Sequence, residues 1–443
     1  MSSIIPVNKR KLLLKKLLIT LKKYENEVTD ALYKDFKKSS FETFLTEFNY
    51  VVSDLKYAIS NIEKWTKPKR VWPSIMTIPS SDFIYSEPYG RVLIIAPWNY
   101  PFQLAFSPLI AAISAGNTVV LKPSELSFQT SQIITKIVEE VFDVKEAVVV
   151  HGGPEFAQSL LEKKWDYIFF TGSVAVGKIV AQAAAKHLTP VTLELGGKNP
   201  CIIDEGANLE VAAKRIVWGK FVNAGQTCIA PDYILIQAKE KYDFIELVKK
   251  EIIVAYGENQ EESKDFPRII SSKHWKRLSD LIEPSKVIFG GITIENDKYI
   301  SPTLIDEPEM RSELMKDEIF GPILPIISYS TEHELQSIIH KFEKPLALYV
   351  FSNNKKFAEK MITEFSFGGG CVNDCMVHFA NKRLPFGGVG NSGIGAYHGK
   401  LGFDTFSHKK TIVKRPNWGD NPIRYAPYNK KSNFIKKVIS WLT

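Results

Sequence analysis

From Val92 onward the sequence alternates short β-branched runs with stretches of helical periodicity, and this alternation leaves few folds open. Strands are expected over residues 92–95, 118–121, 147–150, 167–170 and 191–193, with helices over 102–114, 125–141, 154–161 and 174–187 between them. Each strand–helix–strand unit brings the chain back in the same direction, so the strands lie parallel in one sheet with helices on both faces. A second series runs from about 200 to 385, with strands near 233–237, 324–328 and 347–351. The fold class expected is α/β, with two Rossmann-type parallel-sheet domains.

The flanks read differently. Two helices are expected over 8–37 and 41–65, followed by a stretch holding Pro68, Pro73, Pro79 and Pro88 that lacks helical periodicity and reads as an arm. The first 24 residues carry seven basic and no acidic side chains among six leucines. Lys15 and Lys16 break the apolar run and no small-residue cleavage site follows, so an amphipathic helix is expected rather than a targeting peptide. Near the other end, 403–408 and 411–413 read as an exchanged edge strand. Residues 432–443 mix Lys436 and Lys437 with Phe434, Ile435, Trp441 and Leu442, a short basic amphipathic helix. It either packs on its own or a neighbouring subunit, or makes weak contact with an anionic membrane surface.

With 44% hydrophobic residues the 443-residue chain can bury large cores. The net charge of +8 is spread over 57 basic and 49 acidic residues, which describes a solvated surface and calls for no nucleic acid. Four scattered cysteines, Cys201, Cys228, Cys371 and Cys375, are too few for a disulfide framework, so a reducing, cytoplasmic setting is expected. Cys371 and Cys375 with His378 lack a fourth ligand and the usual spacing, and no metal is expected. No run approaches the length of a membrane span.

The chemistry centres on Gly219-Lys220-Phe221-Val222-Asn223-Ala224-Gly225-Gln226-Thr227-Cys228-Ile229-Ala230-Pro231-Asp232. Its thiol sits among small residues between an amphipathic run and a strand, as an aimed cysteine does. Upstream, Leu193-Glu194-Leu195-Gly196-Gly197-Lys198-Asn199-Pro200 places a glutamate at a strand end where two glycines let other groups approach. Together they offer a nucleophile and a base. Asn99, pinned by Pro97 and Pro101 after a strand, either caps a turn or donates its amide to a developing oxyanion; beside Glu194 and Cys228 the second use gains weight. In Phe170-Thr171-Gly172-Ser173-Val174-Ala175-Val176-Gly177-Lys178, the residues Thr171, Gly172, Ser173 and Gly177 mark a strand-to-helix junction whose amides suit phosphate oxygens.

The two segments around Glu194 and Cys228, together with Ala96-Pro97-Trp98-Asn99-Tyr100-Pro101 and Glu318-Ile319-Phe320-Gly321-Pro322, resemble the aldehyde dehydrogenase superfamily. With Pro385-Phe386-Gly387-Gly388-Val389-Gly390-Asn391-Ser392-Gly393 they are most similar to its class 3 branch, which includes fatty aldehyde dehydrogenases. The resemblance spans nearly the whole chain. It implies an aldehyde dehydrogenase-like fold: a dinucleotide-binding domain (1–66 and 89–194), a catalytic domain (195–393), and a bridging segment (67–88 and 394–443) that pairs subunits in a homodimer. It further implies that Lys122 and Glu125 hold the adenine ribose, that Glu318 binds the nicotinamide ribose, that Phe320 contacts the nicotinamide end, and that Trp98 and Leu195 line the approach. Tyr50, Tyr100, Met376 and Phe386 become substrate-pocket walls, suited to medium- or long-chain aliphatic or aromatic aldehydes.

The expected reaction is NAD(P)-dependent oxidation of an aldehyde to a carboxylic acid through a cysteine thiohemiacetal and thioester. Glu125 would repel a 2′-phosphate while Lys122 offsets part of that repulsion, so NAD is expected to be preferred and NADP usable. Two alternatives stay open: an acylating dehydrogenase that passes the acyl group to a thiol, against which Glu194 argues, and a catalytically idle binding protein.

Overall fold

The computed structural model describes residues 5–420, 424–428 and 433–442. Arg91–Ile95, Thr118–Lys122, Ala147–Val149, Tyr167–Thr171 and Val191–Glu194 form a parallel sheet, with Arg91–Ile95 at its middle between Tyr167–Thr171 and Thr118–Lys122. Val92 to Ile95 are buried, as both faces of a helix-covered sheet require. Helix Pro101–Ala115 is buried almost all round; it starts on a proline and stops at Gly116, whose φ of 101° ends it in the left-handed region. The expected helix 125–141 begins later, at Phe128.

Pro200–Ile203, Tyr233–Gln237, Thr303–Asp306, Ile323–Tyr329, Ala347–Phe351 and Gly369–Val372 build the second sheet in parallel, and Val287–Phe289 adds antiparallel at one edge. The chain then returns to the first sheet, where Gly393–Ile394 pairs antiparallel with Val191–Glu194 and pulls the residues around 393 to that edge.

Both N-terminal helices are interrupted. The expected 8–37 helix is two, Val7–Lys23 and Glu25–Phe36, breaking at Tyr24. The expected 41–65 helix holds a π turn, Phe44–Phe48, before Asn49–Thr66. Lys38 and Glu47 pair at 2.7 Å with both side chains fully buried. The second oxygen of Glu47 accepts from the amides of Phe102 (2.9 Å) and Gln103 (3.3 Å), so one carboxylate answers a lysine and two open amides of helix Pro101–Ala115.

The proline-bearing arm is a small sheet: Lys69–Val71 and Ser81–Pro88 pair antiparallel, and Ser407–Lys414 lies along Ser81–Pro88 from Ser407 opposite Pro88 to Lys414 opposite Ser81. The part of the expected edge strand from Ser407 onward is thus paired along Ser81–Pro88 of the same chain, and residues 403–405 belong to helix Gly399–Thr405. Asn433–Leu442 is helical, while residues 432 and 443 of the expected terminal helix lie outside the described residues. Among the described residues no helix is long and apolar enough to cross a membrane.

Glu47→Ala is expected to strand a buried ammonium and lower stability by about 3–5 kcal/mol. Replacing Lys38 and Glu47 together by Met and Leu should recover most of that loss, as measured by urea unfolding.

Candidate active site

Residues 195–199 carry the chain from the first sheet to the second, and the site is assembled around this linker. Lys198 Nζ meets Asp232 Oδ2 at 2.7 Å and the carbonyls of Leu314 and Asp317 at 2.9 Å each, so all three ammonium hydrogens are used. Asp232 Oδ1 accepts from the amide of Ile319 at 2.9 Å, which fixes the segment bearing Glu318 and Phe320. Asn199 Nδ2 donates to the carbonyls of Cys228 (2.7 Å) and Ala230 (3.0 Å), and its Oδ1 accepts from the amide of Ala347 (2.8 Å). The sequence motif around Glu194 thus holds the thiol loop as well as supplying the carboxylate.

Helix Leu209–Phe221 gives way to a turn in which Asn223 (φ 53°), Ala224 (φ 52°) and Gly225 (φ 73°) are all left-handed. Two non-glycine residues in that region cost free energy, so outside contacts must hold the turn. Gly225 has no substitute there: a Cβ would come within 2.3 Å of the Gly321 carbonyl oxygen. Thr227 Oγ1 bonds Tyr100 Oη at 2.7 Å, and Tyr349 Oη donates to the Ile229 carbonyl at 2.6 Å. Cys228 between them stays half-buried in a neighbourhood that is otherwise closed.

A cavity of about 630 Å³ opens onto this thiol. Of the residues singled out from sequence, Cys228, Glu194 and Asn99 line it, as do Trp98, Thr171, Gly172, Ser173, Leu195, Glu318 and Phe320, and Tyr50, Tyr100, Met376 and Phe386. Lys122, Glu125 and Gly177 do not border it. Lys122 Nζ and Glu125 Oε2 pair with each other at 2.5 Å. Gly177 serves packing, since a Cβ there would meet Leu195 Cδ2 at 2.6 Å. Sequence reasoning missed His274, Arg277, Trp218, Phe379 and Tyr397, which also line the cavity. The spacing of His274 and Arg277 on helix Ser272–Ser279 places them on one face, but nothing local says what that face meets.

Neither oxygen of buried Glu194 has a hydrogen-bond partner, and burial lifts its pKa well above the ordinary carboxylate value. Burial, with Asp232 adding, raises Glu318 to about 8; its Oε1 is likewise unpartnered. Burial foremost, then Glu318 and Glu194, pushes the Cys228 thiol up. Asn99 Nδ2 donates to the Gln226 carbonyl at 3.1 Å, which leaves one amide hydrogen for the cavity. His274, tilted against Trp98 at 4.9 Å, is lowered to about 4, chiefly by burial and next by Arg277.

The residues present fit a dinucleotide. Ser173 caps helix Val174–Ala185 by accepting from the Val176 amide (3.4 Å), and the first amides of such a helix have no intrahelical acceptor. A Cβ on Gly196 would come within 2.0 Å of Glu318 Oε2, so the bare glycine makes room for a carboxylate whose other oxygen awaits a donor.

Two Rossmann-type sheets with a thiol, an unpaired carboxylate and a phosphate-receptive helix end between them define a dinucleotide-dependent oxidoreductase. The aldehyde dehydrogenase family model matches residues 3–412, and the chain belongs to that family. It is 47% identical to the 4,4'-diaponeurosporen-aldehyde dehydrogenase of Staphylococcus aureus, over 96% of this chain and 94% of that one. It is 46% identical to aldehyde dehydrogenase family 3 member A2 of Pongo abelii, over 91% and 84%. The solved substrate-bound state of Staphylococcus aureus AldH superposes with a TM-score of 0.97 at 46% identity, covering 99% of this chain and 96% of its own. The chain is an oxidoreductase that uses NAD(P) to oxidise aldehydes to carboxylic acids.

Asn199→Ala leaves two carbonyls and an amide unpaired at about 1–3 kcal/mol each. The variant is expected to unfold at clearly lower urea concentration than the parent and to lose its catalytic activity before its secondary structure.

Proposed function

We propose that Cys228 is the nucleophile, Glu194 the base and Asn99 an oxyanion donor, acting on medium- to long-chain aliphatic or aromatic aldehydes. The observation that carries this is the Glu194 carboxylate, buried in the same cavity as the half-buried thiol with neither oxygen bonded. Sγ adds to the aldehyde carbon, Glu194 takes the thiol proton, and the former carbonyl oxygen receives hydrogen bonds from the free Asn99 amide hydrogen and the Cys228 amide. NAD(P)+, when bound, supplies the two-electron acceptor for the oxidation step. Glu318 would hold it at the nicotinamide ribose, Trp98, Phe320 and Leu195 beside the ring, Thr171, Gly172 and Ser173 at the phosphates, and Lys122 and Glu125 at the adenine ribose. Cys228 is left as a thioester; Glu194 releases the thiol proton to solvent, then accepts a proton from the attacking water and returns it to the sulfur as the C–S bond breaks, so that the Cys228 thiol and a carboxylic acid, which ionises to the carboxylate, are released. A base at position 194 favours water over an acyl-accepting thiol.

Tyr50, Tyr100, Met376 and Phe386 form the substrate walls in this reading, and each methylene they cover contributes about 0.8 kcal/mol. The domain division at 194/195, a homodimer bridged by the 67–88 and 394–443 segments, and a cytoplasmic location belong to the same proposal. The open edges of the small sheet and four unpaired thiols support them. The helix Asn433–Leu442 carries Lys436 and Lys437 and suits weak contact with an anionic membrane surface.

Stopped-flow reduction of NAD by aldehydes from acetaldehyde to dodecanal and benzaldehyde tests the chemistry. Parent activity is expected to rise with chain length, Cys228→Ala to give no reduction, and Glu194→Gln to give a first burst followed by slow turnover. Burst-free steady turnover by Glu194→Gln at the parent rate would remove the base assignment. Because burial raises the Glu194 pKa, the carboxyl is protonated and idle at low pH. Parent kcat should therefore climb with pH above the ordinary carboxylate range, and Glu194→Gln should lack that limb in a steady-state pH profile. Glu125→Gln is expected to shift the NADP/NAD ratio of kcat/KM upward by about tenfold, equal to about 1.4 kcal/mol of repulsion removed; an unmoved ratio contradicts the charge account.

A further inference from the structure

The turn that aims Cys228 is held from outside the cavity. Glu42, half-buried at the end of the first helical layer, accepts the backbone amide of Asn223 on Oε1 at 3.0 Å. Asn223 is the first of the three left-handed residues before the thiol loop. Its fully buried side chain donates Nδ2 to the carbonyl of Asn99 at 2.8 Å and to that of Gln226 at 3.2 Å. Asn99 in turn donates its own Nδ2 to the Gln226 carbonyl at 3.1 Å, and Gln226 Nε2 returns to the Asn223 carbonyl at 3.0 Å. The ring closes. It contains Asn99, the proposed oxyanion donor, on one side and Asn223 and Gln226 of the thiol loop on the other.

We propose that Glu42 and Asn223 are positioning residues that set the Asn99 amide and the Cys228 thiol as one unit, Glu42 by fixing the strained turn and Asn223 by tying that turn to Asn99. The inference rests on the roles proposed above for Cys228 and Asn99. Neither Glu42 nor Asn223 borders the cavity, so neither touches the aldehyde. Their work is on distance and angle. A left-handed backbone at Asn223 and Ala224 relaxes unless something opposes it, and the hydrogen bond from the Asn223 amide to Glu42 is the contact that reaches this turn from the N-terminal helices. A carboxylate is a strong acceptor for that amide, and a neutral amide oxygen of the same length accepts it too.

The test measures the rate of the first burst of reduced NAD with decanal, at saturating NAD, in the parent, Cys228→Ala, Glu42→Ala, Glu42→Gln and Asn223→Gly proteins. Rates are normalised to Cys228 counted by iodoacetamide alkylation, and NAD affinity is followed by fluorescence titration. Glu42→Ala is expected to slow the burst by about tenfold or more, since small misplacements of reacting groups cost that much, with NAD affinity unchanged. Glu42→Gln keeps the acceptor and should stay close to the parent. Glycine adopts the left-handed turn without strain, so Asn223→Gly should fold, lose the tie to Asn99 and slow the burst as Glu42→Ala does; it decides the matter even where Glu42→Ala does not fold. Parent-like bursts in Asn223→Gly, or equal losses in Glu42→Gln and Glu42→Ala, overturn the proposal. A burst that survives in Cys228→Ala overturns instead the nucleophile assignment on which it rests.

Discussion

The buried ion pair between Lys198 and Asp232 ties together the segments that carry Glu194, Cys228 and Glu318. Its ammonium has three acceptors and its carboxylate also takes the Ile319 amide, so the pair is fully satisfied despite its burial. A desolvated pair of this kind adds little net stability, but removing either partner leaves an uncompensated charge. The partners come from three stretches: the linker after Glu194, the end of the thiol loop, and the segment carrying Glu318 and Phe320. Glu194, Cys228 and Glu318 therefore share one frame, and a shift in any one is resisted by the other two.

Within that frame the charges are deliberately left unbalanced. Asp232 is neutralised, whereas Glu194 and Glu318 face the cavity with unpartnered oxygens. Burial raises both, and together they help keep the neighbouring thiol protonated at rest. Such a cavity binds a ligand with positive charge or spare hydrogen-bond donors more readily than it binds a second anion, because either relieves a desolvation penalty already present. A nicotinamide dinucleotide offers both.

Much of this was legible in the sequence because it is local. The expected strands 233–237 and 347–351 coincide with Tyr233–Gln237 and Ala347–Phe351, since short β-branched runs between helices have one reading. Glu194 and Cys228 stood out through the glycines beside them. What stayed hidden acts across the chain: Asn199 serves two carbonyls about thirty residues away and an amide 148 residues away, and Glu42 reaches an amide 181 residues on. No local pattern encodes a partner at that separation. Periodicity also cannot reveal a π turn such as Phe44–Phe48. Nor can strand propensity name the partner of Ser407–Lys414, which lies along Ser81–Pro88, far earlier in the chain. Gly177 reads as part of a phosphate loop, yet it makes room for Leu195, and only packing separates those two uses.

The raised thiol pKa and the proposed nucleophilic role are compatible once geometry is credited with part of the reactivity. In the proposed mechanism the half-buried, protonated thiol, which lines the same cavity as an unbonded carboxylate, passes its proton to Glu194 only at the moment of attack, and the low dielectric that opposes a resting thiolate also strengthens the hydrogen bonds offered to the nascent oxyanion. Strain in the Asn223–Ala224–Gly225 turn is the counterpart of that economy. In the proposed mechanism this unfavourable backbone fixes where a thiol protonated at rest meets the aldehyde carbon, and selectivity follows from position before it follows from ionisation.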